Sequence, residues 1–281
     1  MSIKALTLVL AKSKPNKLAL LGIPDDSNSS FCRGPAEAPT AIRGQLFSDA
    51  FNMWTETGIE LSEDVFFDAG DLNLAKLHEP WLEIEGAVAL LLENNLIPLC
   101  LGGDHAITYP IIKAFSATYD KLNILHFDAH PDLYDNFDDN PHSHASPFAR
   151  IMENNLVARL VQIGVRTVTD HQRDQAERFG VEMLEMRKLS GDLRLNFDGP
   201  VYVSVDIDGL DPAFAPGVSH PEPGGLSTRQ VLDIIQRLEG TVIGADVVEV
   251  NPRKDFQNLT ATVAAKIVKE IAGKMLAGRN V

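Results

Sequence analysis

The stretch ILHFDAHPD, residues 124–132, sets Asp128, His130 and Asp132 at alternate positions directly after an apolar run. In an extended backbone, side chains two residues apart leave from one face, so these three groups are expected to converge on one point. SVDIDGLDP (204–212) repeats the device with Asp206 and Asp208, and Gly209 is expected to permit a sharp exit from the strand. LGGDHAITYP (101–110) places His105 where a strand passes into a helix. Carboxylates gathered from several strand ends carry too much negative charge to be buried alone, because each uncompensated one costs several kcal/mol. Bound cations resolve that conflict.

One ion rarely takes so many side chains while keeping a position open, whereas two ions sharing carboxylates use His105, Asp128, His130, Asp132, Asp206 and Asp208 together. Oxygen-rich coordination with one imidazole per ion favours two Mn2+ over structural Zn2+, with Fe, Co2+ or Ni2+ as alternatives. Read as helix caps after strands, the Asp residues explain each motif singly and the three together poorly. The only cysteines are Cys32 and Cys100. They offer no C-x-x-C spacing, which excludes a thiolate cage and fits a reducing compartment.

Something must hold these groups at a common edge. Short runs rich in Val, Ile and Leu recur at 18–23, 64–70, 97–103, 122–128, 159–165, 181–184, 201–208 and 241–250. Most are continuous, the pattern of strands covered on both faces. Helical spacing fills 83–95, 108–119, 228–239 and 258–276 between them. Alternation of this kind specifies an α/β fold in which one mostly parallel, eight-stranded sheet lies between helical layers and ligands bind beyond the C-terminal strand ends. No repeat or Pro/Ser-rich linker divides 1–281, so a single domain is expected.

The chain has 44% hydrophobic residues and a formal net charge of −14. That charge repels phosphate backbones and excludes nucleic acid as a natural partner. It also gives weak attraction for a small cationic substrate. The apolar run after Lys4 is short for an export signal, and no segment approaches a membrane span, so a cytoplasmic location away from the membrane is expected.

With these residues in place, the sequence resembles the ureohydrolase family, the arginases and agmatinases, along nearly its whole length. The matching segments are GGDHA (102–106), FDAHPD (127–132), SVDIDGLDPAFAPG (204–217), PEPGGLS (221–227) and ADVVEVNP (245–252), with RGPAEAPTAIR (33–43) near the start. The resemblance implies a three-layer αβα arginase-like fold and hydrolysis of a guanidino group to urea and an amine. It implies a first metal held by His105, Asp128, Asp132 and Asp206, and a second held by His130, Asp128, Asp206 and Asp208, so that Asp128 and Asp206 bridge. It also implies a homo-oligomer, trimer or hexamer.

The same resemblance makes Asp132, His144 and Glu249 the catalytic candidates. Glu249 is expected to accept two parallel N–H bonds from a planar guanidinium. In HSHASPF (142–148), His144 fits the register of a proton-shuttling histidine better than His142, with Ala145 standing where relatives commonly have glycine. His126 reads as a packing or supporting residue; His78 and His171 read as surface or loop residues, and His220 lies near the crevice.

Tyr134 and Asp135 stand where arginases carry polar residues that hold the amino-acid end of arginine, and the resemblance implies that Arg187 corresponds to an acidic residue near the substrate's amino group. On that reading Tyr134 contacts substrate and agmatine is the first choice. Guanidinobutyrate, arginine, guanidine and formiminoglutamate follow, and a non-catalytic paralogue or a single-Zn2+ deacetylase-like hydrolase are the readings from other classes.

Overall fold

Each of the apolar runs becomes a strand: β1 (Leu18–Ile23), β2 (Phe66–Asp71), β3 (Ile97–Gly102), β4 (Asn123–Phe127), β5 (Arg159–Ile163), β6 (Glu182–Leu184), β7 (Asn196–Asp206) and β8 (Glu239–Val248). They form one sheet in the order β2-β1-β3-β8-β7-β4-β5-β6. Every named pairing is parallel. The computed structural model from which this is taken describes residues 1–10, 15–74, 77, 80–189 and 193–278. His78 lies outside them.

The helices are α1 (Ile3–Leu10), α2 (Ala38–Leu46), α3 (Pro80–Glu93), α4 (Thr108–Ser116), α5 (Pro147–Glu153), α6 (Asp170–Phe179), α7 (Thr228–Arg237) and α8 (Leu259–Ala277). Side-chain alternation along the strands divides the interior in two. Leu18 and Leu20 of β1, Leu99 and Leu101 of β3, and Val203 and Val205 of β7 pack under α2, α7 and α8. Ala19 and Leu21 of β1, Cys100 of β3, Ile124 of β4 and Tyr202 of β7 face α1, α3, α4, α5 and α6. The result is a three-layer αβα sandwich, and each Leu or Ile wholly removed from water in it contributes roughly 1.5–3 kcal/mol.

Sequence periodicity did not reveal α1, α2, α5 and α6. α6 is too polar for an apolar stripe to stand out. A capping box starts it instead, with the Thr169 side chain accepting from Gln172 N–H and the Gln172 side chain accepting from Thr169 N–H. α1 occupies the run that raised the question of export. No helix among the described residues is long and apolar enough to cross a membrane.

Four neighbouring strands, β3, β8, β7 and β4, end at one crevice. Into it lead His105 after β3, Glu249 after β8, Asp206 and Asp208 at and after β7, and Asp128 to Asp132 after β4. This is where a parallel sheet offers its strand ends to a ligand.

Candidate metal centre and the pocket around it

β4 stops at Phe127, so Asp128, His130 and Asp132 do not converge by extended alternation as expected. Asp128 Oδ1 instead accepts from His130 N–H at 2.6 Å, folding the chain back in an Asx turn. Asp132 follows in the left-handed region, φ 50°. Asp206 likewise ends β7, and its Oδ1 accepts from Asp208 N–H at 2.8 Å as a short 3-10 turn begins. Gly209 does not supply a positive φ there. Its role is close approach, since a Cβ would lie 2.8 Å from the Asp128 nitrogen.

These turns bring two groups together. His105 Nδ1 lies 3.3 Å from Asp128 Oδ2, 3.1 Å from Asp132 Oδ2 and 3.2 Å from Asp206 Oδ2. It is buried and makes no hydrogen bond. His130 Nδ1 lies 3.3 Å from Asp128 Oδ1 and 3.2 Å from Asp208 Oδ2. Ligand atoms held at about 2.1 Å from a shared ion and at right angles stand about 3 Å apart, the spacing found here. The donor set therefore fits two cations, with Asp128 turning one oxygen to each group. Asp206 turns Oδ2 to the His105 group, while its Oδ1 accepts from Asp208 N–H beside the second.

Charge balance points the same way. Burial pushes Asp206 well up, with Asp208 and Asp128 adding to it. Burial also raises Asp132 and Asp208. Asp128 alone is held well down: burial opposes its charge, and the three neighbouring histidines, His105, His126 and His130, outweigh it. Burial would depress His130, yet Asp208 and Asp128 carry it up to about 12. Protein groups by themselves can neutralise this cluster only by taking up protons, and divalent cations would replace them.

His126 faces the same cluster and with His105 and Asp128 forms a group that could hold a metal, though both of its ring nitrogens are engaged by side chains. Gln162 Nε2 donates to Pro131 O at 2.7 Å, which fixes its amide, and to His126 Nδ1 at 3.0 Å. The His126 proton is then on Nε2, which donates to Asp128 Oδ2 at 2.9 Å. Phe148 stacks on the other side of the ring, centroids 4.0 Å apart.

Glu249 has φ 65°, and its N–H is tied to Gly103 O at 2.9 Å. Strain of this kind in a non-glycine residue persists only where surrounding contacts impose it. Its Oε1 accepts from His105 N–H at 3.0 Å and pairs with His144 Nδ1 at 2.7 Å. Oε1 is thus engaged twice, and no hydrogen bond to Oε2 is seen among the described residues. Burial would depress His144, but Glu249, with Asp104 and Asp132 behind it, carries it up to about 9.

Ser30, absent from the sequence reading, completes this line. Its Oγ lies 2.8 Å and its N–H 3.2 Å from His144 Nε2. Asp104 anchors the Ser30 loop by accepting from Asn28 N–H and Ser29 O–H. Ser30 and His144 are far apart in the chain, so no spacing could have linked them.

The pocket above the cluster is lined by Tyr134, Phe137, Ala145, His220, Thr167, Thr169 and Gln172 besides the groups described. Tyr134 stacks on His171 at 5.7 Å. Ala145 is not in a left-handed conformation, so the loop does not need glycine there. His142 packs on Trp81 instead, centroids 5.1 Å apart. Arg187 is not at the pocket: it is exposed and pairs with Glu185 at 3.0 Å. The pocket wall at the start of α6 is formed by the uncharged Thr167, Thr169 and Gln172, which no charge pattern marks.

The Arginase family model matches residues 16–273. The chain is 48% identical over 276 residues to a protein named Arginase 1, mitochondrial, of Arabidopsis thaliana, covering 92% of this chain and 80% of that one. It is 33% identical to a Bacillus cereus agmatinase, covering 94% of each. The solved arginase of Medicago truncatula superposes with a TM-score of 0.89 at 42% identity, covering 97% of this chain and 92% of that one. Its sheet, its clustered strand ends and these full-length likenesses agree: the chain belongs to the arginase family.

Proposed function

We propose that the chain hydrolyses the guanidino group of L-arginine to urea and the corresponding amine, with two Mn2+ per chain. The observation that carries this reading is Glu249, a buried carboxylate anchored through one oxygen and lining the same pocket as His130, Asp132 and Asp208. A guanidinium donating to Oε2 is drawn to that carboxylate and oriented over the cluster. His105, Asp128, Asp132 and Asp206 would hold one cation and His130, Asp128 and Asp208 the other. Bound there, the cations supply the Lewis acidity that ionises water near neutral pH.

The remaining work belongs to side chains. Glu249 holds the planar group, so that binding energy is used for orientation. His144, protonated through neutral pH, is placed to give its proton to the departing amine nitrogen. Ser30 and Glu249 occupy both of its ring nitrogens, which keeps the ring aimed.

Agmatine was the first expectation, and the pocket wall argues for arginine ahead of it. Thr167, Thr169 and Gln172 offer neutral hydrogen-bonding groups at the start of α6, where the helix dipole favours a carboxylate. Relatives named arginase also resemble the chain more than the agmatinase does. Urea release by Mn2+-loaded protein on L-arginine, agmatine and 4-guanidinobutyrate tests this, with arginine expected to be turned over fastest. Faster turnover of agmatine would reverse the substrate assignment, and no urea from any of the three would end the hydrolase reading.

A further inference from the structure

Asp246 on β8 is completely buried, with no Lys or Arg in contact among the described residues. It lies in register with Cys100 on β3 and Ser204 on β7, in the layer under α4. Three hydroxyls serve it: Ser204 donates to Oδ1 at 2.6 Å, and Tyr202 and Thr108 donate to Oδ2 at 2.8 and 2.9 Å. Burial pushes its carboxyl up, and the nearby His105 together with these hydroxyls works against that. A charged group kept in a core at such cost invites a reason beyond packing.

Proton accounting supplies one. A carboxylate only accepts, so each hydroxyl directs its single proton at Asp246. Ser204 then has only lone pairs left. Its other contact, His105 Nε2 at 3.0 Å, must therefore be a ring N–H donating to it. With that nitrogen protonated, the neutral ring carries its lone pair on Nδ1, the atom facing Asp128, Asp132 and Asp206.

We propose that Asp246 is a positioning residue which acts through Ser204 to hold His105 in its Nε2–H form, and so sets the affinity of the His105 group for its cation. This rests on the metal reading of the site. Outer partners of ligating histidines fix the tautomer and typically change metal affinity about 10- to 100-fold when removed. Here the carboxylate acts at one remove, through a hydroxyl whose direction it dictates.

Asp246→Asn tests the direction of the relay. The amide oxygen should take the end that receives two hydroxyls, leaving the NH2 toward Ser204. Ser204 would then accept from it and turn its own O–H to His105 Nε2, driving the ring proton onto Nδ1. Mn2+ titration of the chelator-stripped chain, followed by calorimetry and electron paramagnetic resonance, is expected to give two coupled ions in wild type. In Asp246→Asn one affinity should fall about 10- to 100-fold, and an isolated Mn2+ signal should appear at limiting metal. Ser204→Ala should do the same, and Ser204→Thr, which keeps the hydroxyl, should restore the pair.

Thermal melting of the stripped proteins gives the second readout. Replacing a buried charge with a neutral amide should leave the melting temperature unchanged or higher. Asp246→Asn that binds two ions with wild-type affinities, whether or not its melting temperature falls, overturns the relay. Wild type that takes up fewer than two ions overturns the binuclear reading and the relay with it.

Discussion

The two ligand groups differ in how they are built. His105 is wholly buried, while the His130 side chain is 28% exposed. His105 has Phe148 edge-on at 5.2 Å, Ser204 behind it and three carboxylates before it. His130 meets two carboxylates and looks into the pocket, where His220 is its ring neighbour at 6.2 Å. His105 belongs to the core and His130 to the pocket wall, while Asp132 and Asp206 of the first group reach the pocket beside Asp208. Restrained ligands favour tight, slowly exchanging metal, and a group facing solvent should exchange faster.

Asp128 is the point at which that contrast can be broken. It gives an oxygen to each group, so Asp128→Asn should abolish urea release and prevent binding of two ions. Asp208→Asn touches the His130 group alone and should leave one Mn2+ per chain by mass spectrometry. If Asp208→Asn instead empties both groups, they are one cooperative unit and the contrast fails.

A smaller effect separates the metal groups from the proton-handling line beside them. His144→Asn should lower kcat by about 10²- to 10⁴-fold while metal content stays at the wild-type level. The pH dependence follows from the direction of its shift. Burial works against the cation, but Glu249 prevails and His144 sits at about 9 against an ordinary 6.5. A histidine raised in the folded state contributes stability that is complete below about 6.5 and is lost as pH climbs through about 9. Melting curves from pH 6 to 9.5 should therefore decline more in wild type than in His144→Asn, and equal declines would show that the pair contributes nothing.

How much of this could be read from residues alone follows from where each signal resides. Strand ends were legible because mostly apolar runs stop at His and Asp residues, and the run that ends at Phe127, just before Asp128, is an example. The turn after Phe127 was not, because a side chain folding back onto its own backbone leaves no periodic trace. Asp246 sat unseen within an apolar run, as its partners lie on neighbouring strands and on α4. Thr167, Thr169 and Gln172 escaped because neutral polar residues before a polar helix look like any loop. The position of Arg187 in the chain also misled, since the residue expected beside the substrate is exposed and paired with Glu185.

Ser30 gives the smallest and most discriminating test of the same division. It presents two groups to one ring nitrogen, Oγ at 2.8 Å and N–H at 3.2 Å. When His144 is a cation, its Nε2–H can donate to Oγ; once the proton has left, Nε2 can accept from Ser30. Ser30→Ala keeps the backbone donor and deletes the acceptor, so it disfavours only the protonated form. The expected result is a fall in kcat of about tenfold, the scale of one hydrogen bond to a charged group, with KM and Mn2+ content unchanged and recovery in Ser30→Thr. A rise in KM with kcat intact would mean that Ser30 holds the substrate in both ground and transition states. In that case His144 would be aimed by Glu249 alone, and the loop anchored by Asp104 would belong to recognition instead of proton transfer.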